Sequence, residues 1–200
     1  MREVFEATGN APWTATQQLT AALSGHAFAL EKIARRVEEQ SGWTYMGLDL
    51  TPAPSKAASI GAAIEKFTGA KFGSSGTMTA AGVITQAVSS VPVKRVGYSG
   101  LMLPVLEDNL LAQRWSEGAY NIDSLLAYSS VCGTGLDTIP LPGDVSQEQL
   151  ERILDDVATL AFKWHKPLSA RLLPVAGKKA GDRTDFDDPV LVNAQIQSLL

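Results

Sequence analysis

The sequence predicts an α/β fold, on three observations. Short apolar runs of strand length, Trp43 to Leu50, Val93 to Ser99 and Leu168 to Val175, alternate with segments whose apolar residues recur about every 3.6 residues. The chain is 45% hydrophobic but only 7% aromatic, which suits aliphatic helices packed on buried strands. Its 200 residues can bury a substantial core and are expected to form a single domain.

Taken in order, Thr16 to Gln40 carries Leu19, Leu23, Ala27, Leu30, Ile33, Ala34 and Val37 on one helical stripe, with Thr16 as a cap. Thr51-Pro52-Ala53-Pro54 stops the first strand because proline cannot donate to a ladder. A short helix over Ser59 to Phe67, a Gly-Ser loop and a small-residue helix over Thr77 to Ser90 follow. Beyond the second strand come helices around Asp108 to Ser116 and over Ile122 to Ser130, the latter capped by Asn121. Ser146 to Trp164 is the clearest helix, since Ser146-Gln147-Glu148-Gln149 fits a capping box ahead of Leu150, Ile153, Leu154, Val157, Leu160 and Ala161. Ala176 to Asp188 reads as a polar loop.

A formal charge of −4 argues against a nucleic-acid partner, because phosphate-backbone binding needs clustered Lys and Arg. One cysteine cannot form an internal disulfide, and no run reaches the ~18 apolar residues of a membrane span. The expected location is the cytoplasm, with no membrane partner.

Val131 to Asp144 holds the single cysteine and reads as a tight hairpin. Gly133, Gly135 and Gly143 permit close backbone approach, and Pro140 and Pro142 stiffen an apolar stretch while removing two donors. Such a segment can hold Cys132 and Asp137 inside a cavity. With it stand Gly47 to Pro54, Gly97 to Asp108 and Gly177 to Asp182. These four ordered motifs resemble the bacterial and archaeal family called domain of unknown function 711, or uncharacterised protein family 0210, over about Trp43 to Asn193. The resemblance implies a pyruvate formate-lyase-like α/β barrel or half-barrel, with outer helices and an internal finger loop at Val131 to Asp144. Family members are longer, and the chain matches their C-terminal half. A homo-oligomer, or a partner chain supplying the other half, is therefore expected. Cys132 stands alone at the finger and no radical-glycine motif is visible, so radical chemistry is not expected.

Cys132 is a reactive thiol if a cation or helix end lowers its pKa, and otherwise a small buried hydrophobe. His26 and His165 are the only imidazoles in the chain, and each sits on a helical pattern. Asp137 and Asp49 either bind a ligand and move protons or cap backbone amides; if they meet, one of them becomes a general acid. Gly73 and Ser74 open a helix whose amides suit an anion or simply an ordinary turn. Arg171, Lys178 and Lys179 form a second candidate anion clamp, while Gly133, Thr134 and Gly135 line the finger. The acid pairs Glu107-Asp108, Asp155-Asp156 and Asp187-Asp188 lack metal-site spacing. Gly97-Tyr98-Ser99-Gly100 has its second glycine one residue early for a hydrolase elbow. The reading is an enzyme acting on a small anionic metabolite around Cys132, with no cofactor identified, or else a non-catalytic subunit that completes a barrel.

Overall fold

The computed structural model describes residues 1–8 and 11–199, so Leu200 lies outside the described residues. The elements run α1 (Arg2–Thr8), α2 (Pro12–Ser41), α3 (Ile60–Thr68), α4 (Thr77–Ser90), α5 (Asn109–Ser116), α6 (Ile122–Cys132), β1 (Gly135–Pro142), α7 (Gln147–Trp164) and β2 (Ser169–Val175). The fold is mixed α/β but mostly helical. Its two strands pair in parallel in an open sheet, and the described residues do not close a barrel.

The helices start and stop where local chemistry dictates. Ser146 accepts from the Gln149 N–H and the Gln149 side chain returns the bond, so the predicted capping box holds α7. Asn121 and Ser124 make the same reciprocal pair on α6. α2 begins four residues earlier than its apolar stripe suggested, because Pro12 suits the first turn, where no intrahelical donor is needed. It ends at Gly42, whose N–H reaches the Glu38 carbonyl in the left-handed cap conformation. Only part of its predicted stripe is covered: Leu19 and Ala27 are buried, whereas Leu30, Ile33 and Val37 are each more than half exposed. α1 was not foreseen; its Phe5 packs on Phe67 of α3 at 4.6 Å between rings.

Two predicted strands are corrected. Trp43 to Leu50 and Val93 to Ser99 lie beside each other in parallel but share a single bridge, Leu48 with Arg95. Leu48 donates to the Lys94 carbonyl at 2.8 Å and Val96 donates to Leu48 at 3.0 Å. Trp43 and Met46 then point into solvent, so neither run has a second face to bury and neither extends into a strand.

The predicted hairpin at Val131 to Asp144 is also corrected. Its first residues finish α6 and Gly135–Pro142 form β1, buried at every position. The two prolines fit because of a bulge. Between Leu136 and Ile139 the register advances three residues on β1 for two on β2, and Thr138 takes a positive φ of 49°. Before the bulge the Thr134 carbonyl faces β2, accepting from Ser169 at 2.8 Å; after it the Gly143 N–H points the same way, to Lys178 at 2.9 Å. Strand alternation across the bulge therefore turns Pro140 and Pro142, which cannot donate, to the edge away from β2.

The core gathers Phe72, Ile84, Leu101, Leu106, Leu111 and Trp115 around the small-residue face of α4. Phe72 meets Tyr120 edge-on at 4.8 Å, and Trp115 meets Tyr120 at 5.4 Å. Arg114 joins α5 to α3 through Glu65, with Nε 2.6 Å from the carboxylate.

At the centre of the helical layer Asp108, with no exposed surface, starts two helices at once. One oxygen accepts from Ser59 Oγ at 2.6 Å, Leu110 N at 2.9 Å and Leu111 N at 3.1 Å. The other accepts from Ile60 N at 2.7 Å and Gly61 N at 3.2 Å. Asp108→Ala removes an α5 cap, loosens the α3 cap and strands buried amides. The expected loss is about 3 kcal/mol or more, from two caps at about 1 kcal/mol each and at least one orphaned donor at about 1–3 kcal/mol. Urea denaturation measures it, and a loss below about 1 kcal/mol would mean that water or neighbouring groups cap both helices without the carboxylate.

Candidate functional site

α6 ends at Cys132, just ahead of β1, because Gly133 terminates the helix in the left-handed conformation, φ 61°, with its N–H on the Ser129 carbonyl. The Trp164 ring lies against Gly133, where an added Cβ would come within 3.0 Å of it. At Gly135 the approach is closer: a Cβ would sit 2.2 Å from the Ser169 carbonyl oxygen, so β2 can reach the finger only over glycine.

Cys132 is buried, and its Sγ lies 3.1 Å from Thr134 Oγ1. Thr134 gives its one hydroxyl proton to the Leu101 carbonyl at 2.6 Å. The thiol is therefore the donor toward Thr134 and is held protonated. Burial pushes its pKa up; the Thr134 contacts, Ser129 and the positive charge of Lys166 only partly oppose this.

Around this thiol converge three segments far apart in sequence. Asp49 accepts from Thr51 N and Oγ1 at 3.0 and 2.6 Å, and from Tyr98 N and Ser99 N at 3.1 and 3.0 Å. Desolvation works against its charge, but these four donors win and hold the carboxyl below its usual range. Gly97 must be glycine for this, since a Cβ there would lie 2.3 Å from the Asp49 carboxylate. Gly100 similarly lets the 97–101 segment meet the finger, with a Cβ falling 2.6 Å from the Cys132 carbonyl. Lys166 closes the group, donating from Nζ to the Tyr98 carbonyl at 2.7 Å. Its pKa is lowered by burial, with Cys132 and Asp49 pulling the other way.

Of the residues singled out from sequence, Cys132, Gly133, Thr134, Gly135 and Asp49 thus gather in one region. Asp137 does not join them. It is buried, paired with Arg171 Nε, while Arg171 Nη2 holds Glu107 at 2.6 Å. Asp49 and Asp137 share no partner, so they do not form the coupled pair considered above. Arg171 is occupied by two carboxylates. Lys178 Nζ is 2.9 Å from Asp185, and Lys179 contributes its backbone N–H to Asp182. Gly73 and Ser74 form a turn: the Gly73 N–H reaches Thr77 Oγ1, the Ser74 N–H reaches the Lys71 carbonyl, and a Cβ on Gly73 would lie 2.2 Å from Ala119 O. His165 caps α7 with φ 52°, and His26 is exposed on α2.

Among the described residues no three His, Cys, Asp or Glu side chains come together as a metal site. Lys166 and Trp164 were not singled out from sequence. They follow the end of a helix without any motif; the only signal is Pro167, which fixes where α7 must end. A cleft of about 190 Å³ lies elsewhere, between α6, α7 and the C-terminal segment, and Cys132 does not line it.

A buried thiol with a raised pKa makes two predictions. A thiol reagent should label native Cys132 much more slowly than a free cysteine, at the rate at which the finger opens; fast labelling at neutral pH would contradict the enclosure. The folded pKa lies above the unfolded one, so the associated stability is complete below about 8.5 and is lost as pH rises through the folded value. Cys132→Ala should lose less stability than the parent between neutral and alkaline pH in urea titrations, and parallel curves would contradict this.

No described helix is long and apolar enough to cross a membrane. The family profile described as Uncharacterised ACR (DUF711) matches residues 1–188, a longer stretch than the motifs alone suggested. A UPF0210 protein of Pyrobaculum aerophilum is 38% identical over 162 residues, covering 78% of this chain and 36% of its own length. UPF0210 proteins of Pyrobaculum arsenaticum and Desulforudis audaxviator are 36% and 33% identical over the same length, again covering 78% of this chain and 36% of their own. The chain spans about a third of the length of the curated relatives it matches, rather than the half expected from its motifs. With the profile running through nearly all of its residues, the chain belongs to the DUF711, or UPF0210, family.

Proposed function

We propose that the chain is part of an enzyme that acts on a small anionic metabolite at the Cys132 finger, within a pyruvate formate-lyase-like barrel whose remaining strands lie outside these residues. The observation carrying this reading is the convergence of the 47–51, 97–101 and 132–135 motifs on one thiol beside Lys166. Lys166 supplies the positive charge for an anion, and Asp49 fixes the loop that presents the Tyr98 carbonyl to it. Cys132, whose thiol keeps its proton in the folded chain, gives that proton to the bound anion and takes it back from the product. Arg171 and Lys178 contribute less to anion binding, because each is paired with carboxylates of its own chain.

The alternative is a non-catalytic subunit that completes a barrel with another chain. It is favoured by the apolar face left open at Leu30, Ile33 and Val37, and by a sheet that ends at β2. Either reading calls for a neighbour, and we propose a homo-oligomer or a partner chain. Light scattering should find the purified chain larger than a monomer, whereas a stable monodisperse monomer would remove this part of the proposal.

Turnover of a panel of anionic metabolites tests the enzyme reading. Cys132→Ser should lower kcat by about 100-fold or more, the range expected for loss of a proton-transferring group, and Lys166→Met, which removes the charge that binds the anion, should raise KM. Asp137→Asn, away from the thiol, should cost stability more than turnover. An active preparation on which the Cys132 and Lys166 changes have no effect would refute a finger-centred mechanism.

A further inference from the structure

The cleft between α6 and α7 lies outside the finger and has its own chemistry. Its floor is apolar, with Ile122, Leu141 and Ile153 all buried. Its rim is charged: Asp123 comes from the first turn of α6, and Arg152 and Asp156 stand one turn apart on α7. Among the described residues none of these three makes an ion pair.

We infer that this cleft binds a small zwitterion with an apolar side chain, of the α-amino acid class. Two carboxylates and one guanidinium around an apolar floor are matched by a ligand carrying one ammonium, one carboxylate and a hydrocarbon tail. A simple anion would meet a rim of net negative charge, and a simple amine would leave Arg152 unanswered. At about 190 Å³ the space is somewhat larger than the ~150 Å³ apolar cavity known to take benzene, enough for a branched four-carbon side chain with its charged head at the mouth.

The inference does not rest on the finger, and the experiment keeps the two apart. Isothermal titration of the whole chain with leucine should show saturable binding at millimolar concentration. Isocaproate, without the ammonium, and isopentylamine, without the carboxylate, should each bind about tenfold more weakly, equivalent to about 1.4 kcal/mol. Arg152→Gln should erase the preference for leucine over isopentylamine, and Asp156→Asn should reduce that over isocaproate; both side chains are exposed, and unchanged melting would verify folding. Cys132→Ser should leave leucine binding intact. Absence of leucine binding, or equal binding of the uncharged N-acetyl-leucine amide, would overturn the proposal, the latter by showing that the cleft accepts a polypeptide segment.

Discussion

The Asp108 carboxylate is the constraint on which the rest of the structure depends. A buried charge is costly unless it is fully hydrogen-bonded, and here one oxygen pair receives five donors from the starts of α3 and α5. That arrangement fixes the two helices against each other and fixes the segment leading into Asp108. The same segment runs beside β1, where Val105 donates to the Asp137 carbonyl at 3.1 Å and Leu106 donates to Thr138 Oγ1 at 3.0 Å. Arg171 adds a side-chain tie by holding Glu107 and Asp137 together. Helical capping therefore positions the strand that carries the finger.

The bulge in β1 solves a problem posed by its own sequence. A strand with two prolines two residues apart loses two donors, but if both fall on one edge the other edge keeps a complete ladder. The register shift at Asp137 and Thr138 produces this parity, and the Leu106 amide satisfies itself on the Thr138 side chain where backbone pairing is broken. Thr138 remains in a backbone region unfavourable to a β-branched residue, at a cost of order 1–3 kcal/mol, because neighbours on both sides of β1 hold it there.

What could be read from the sequence followed from how local its cause was. The α7 capping box and the Asn121 cap needed only residues within one turn. Trp43 to Leu50 and Val93 to Ser99 looked like strands because they were apolar, yet strand formation requires a neighbour along the whole run, and they offer each other one bridge. The Val131 to Asp144 segment reads as a hairpin because its glycines and prolines suit a turn equally well until β2 is known to press on Gly135; the structure makes it the end of α6 and strand β1. Cys132 and Asp49 stood in recognisable motifs. Their approach to Lys166 depends on where α7 ends relative to residues 97–101, a distance that no local pattern encodes.

β1 also places the finger and the α6–α7 cleft at opposite ends of one strand. Gly133 lies against Trp164, at the end of α7, whereas Pro140 and Leu141 form part of the cleft beside the first turns of that helix. α7 thus spans both regions, with Trp164 Nε1 donating to Ser129 at 3.0 Å and Lys163 Nζ to Ser130 at 3.1 Å at its C-terminal end. The C-terminal end of α7 is thereby tied to the last turn of α6, so the helix pair that forms the cleft also holds Trp164 against Gly133.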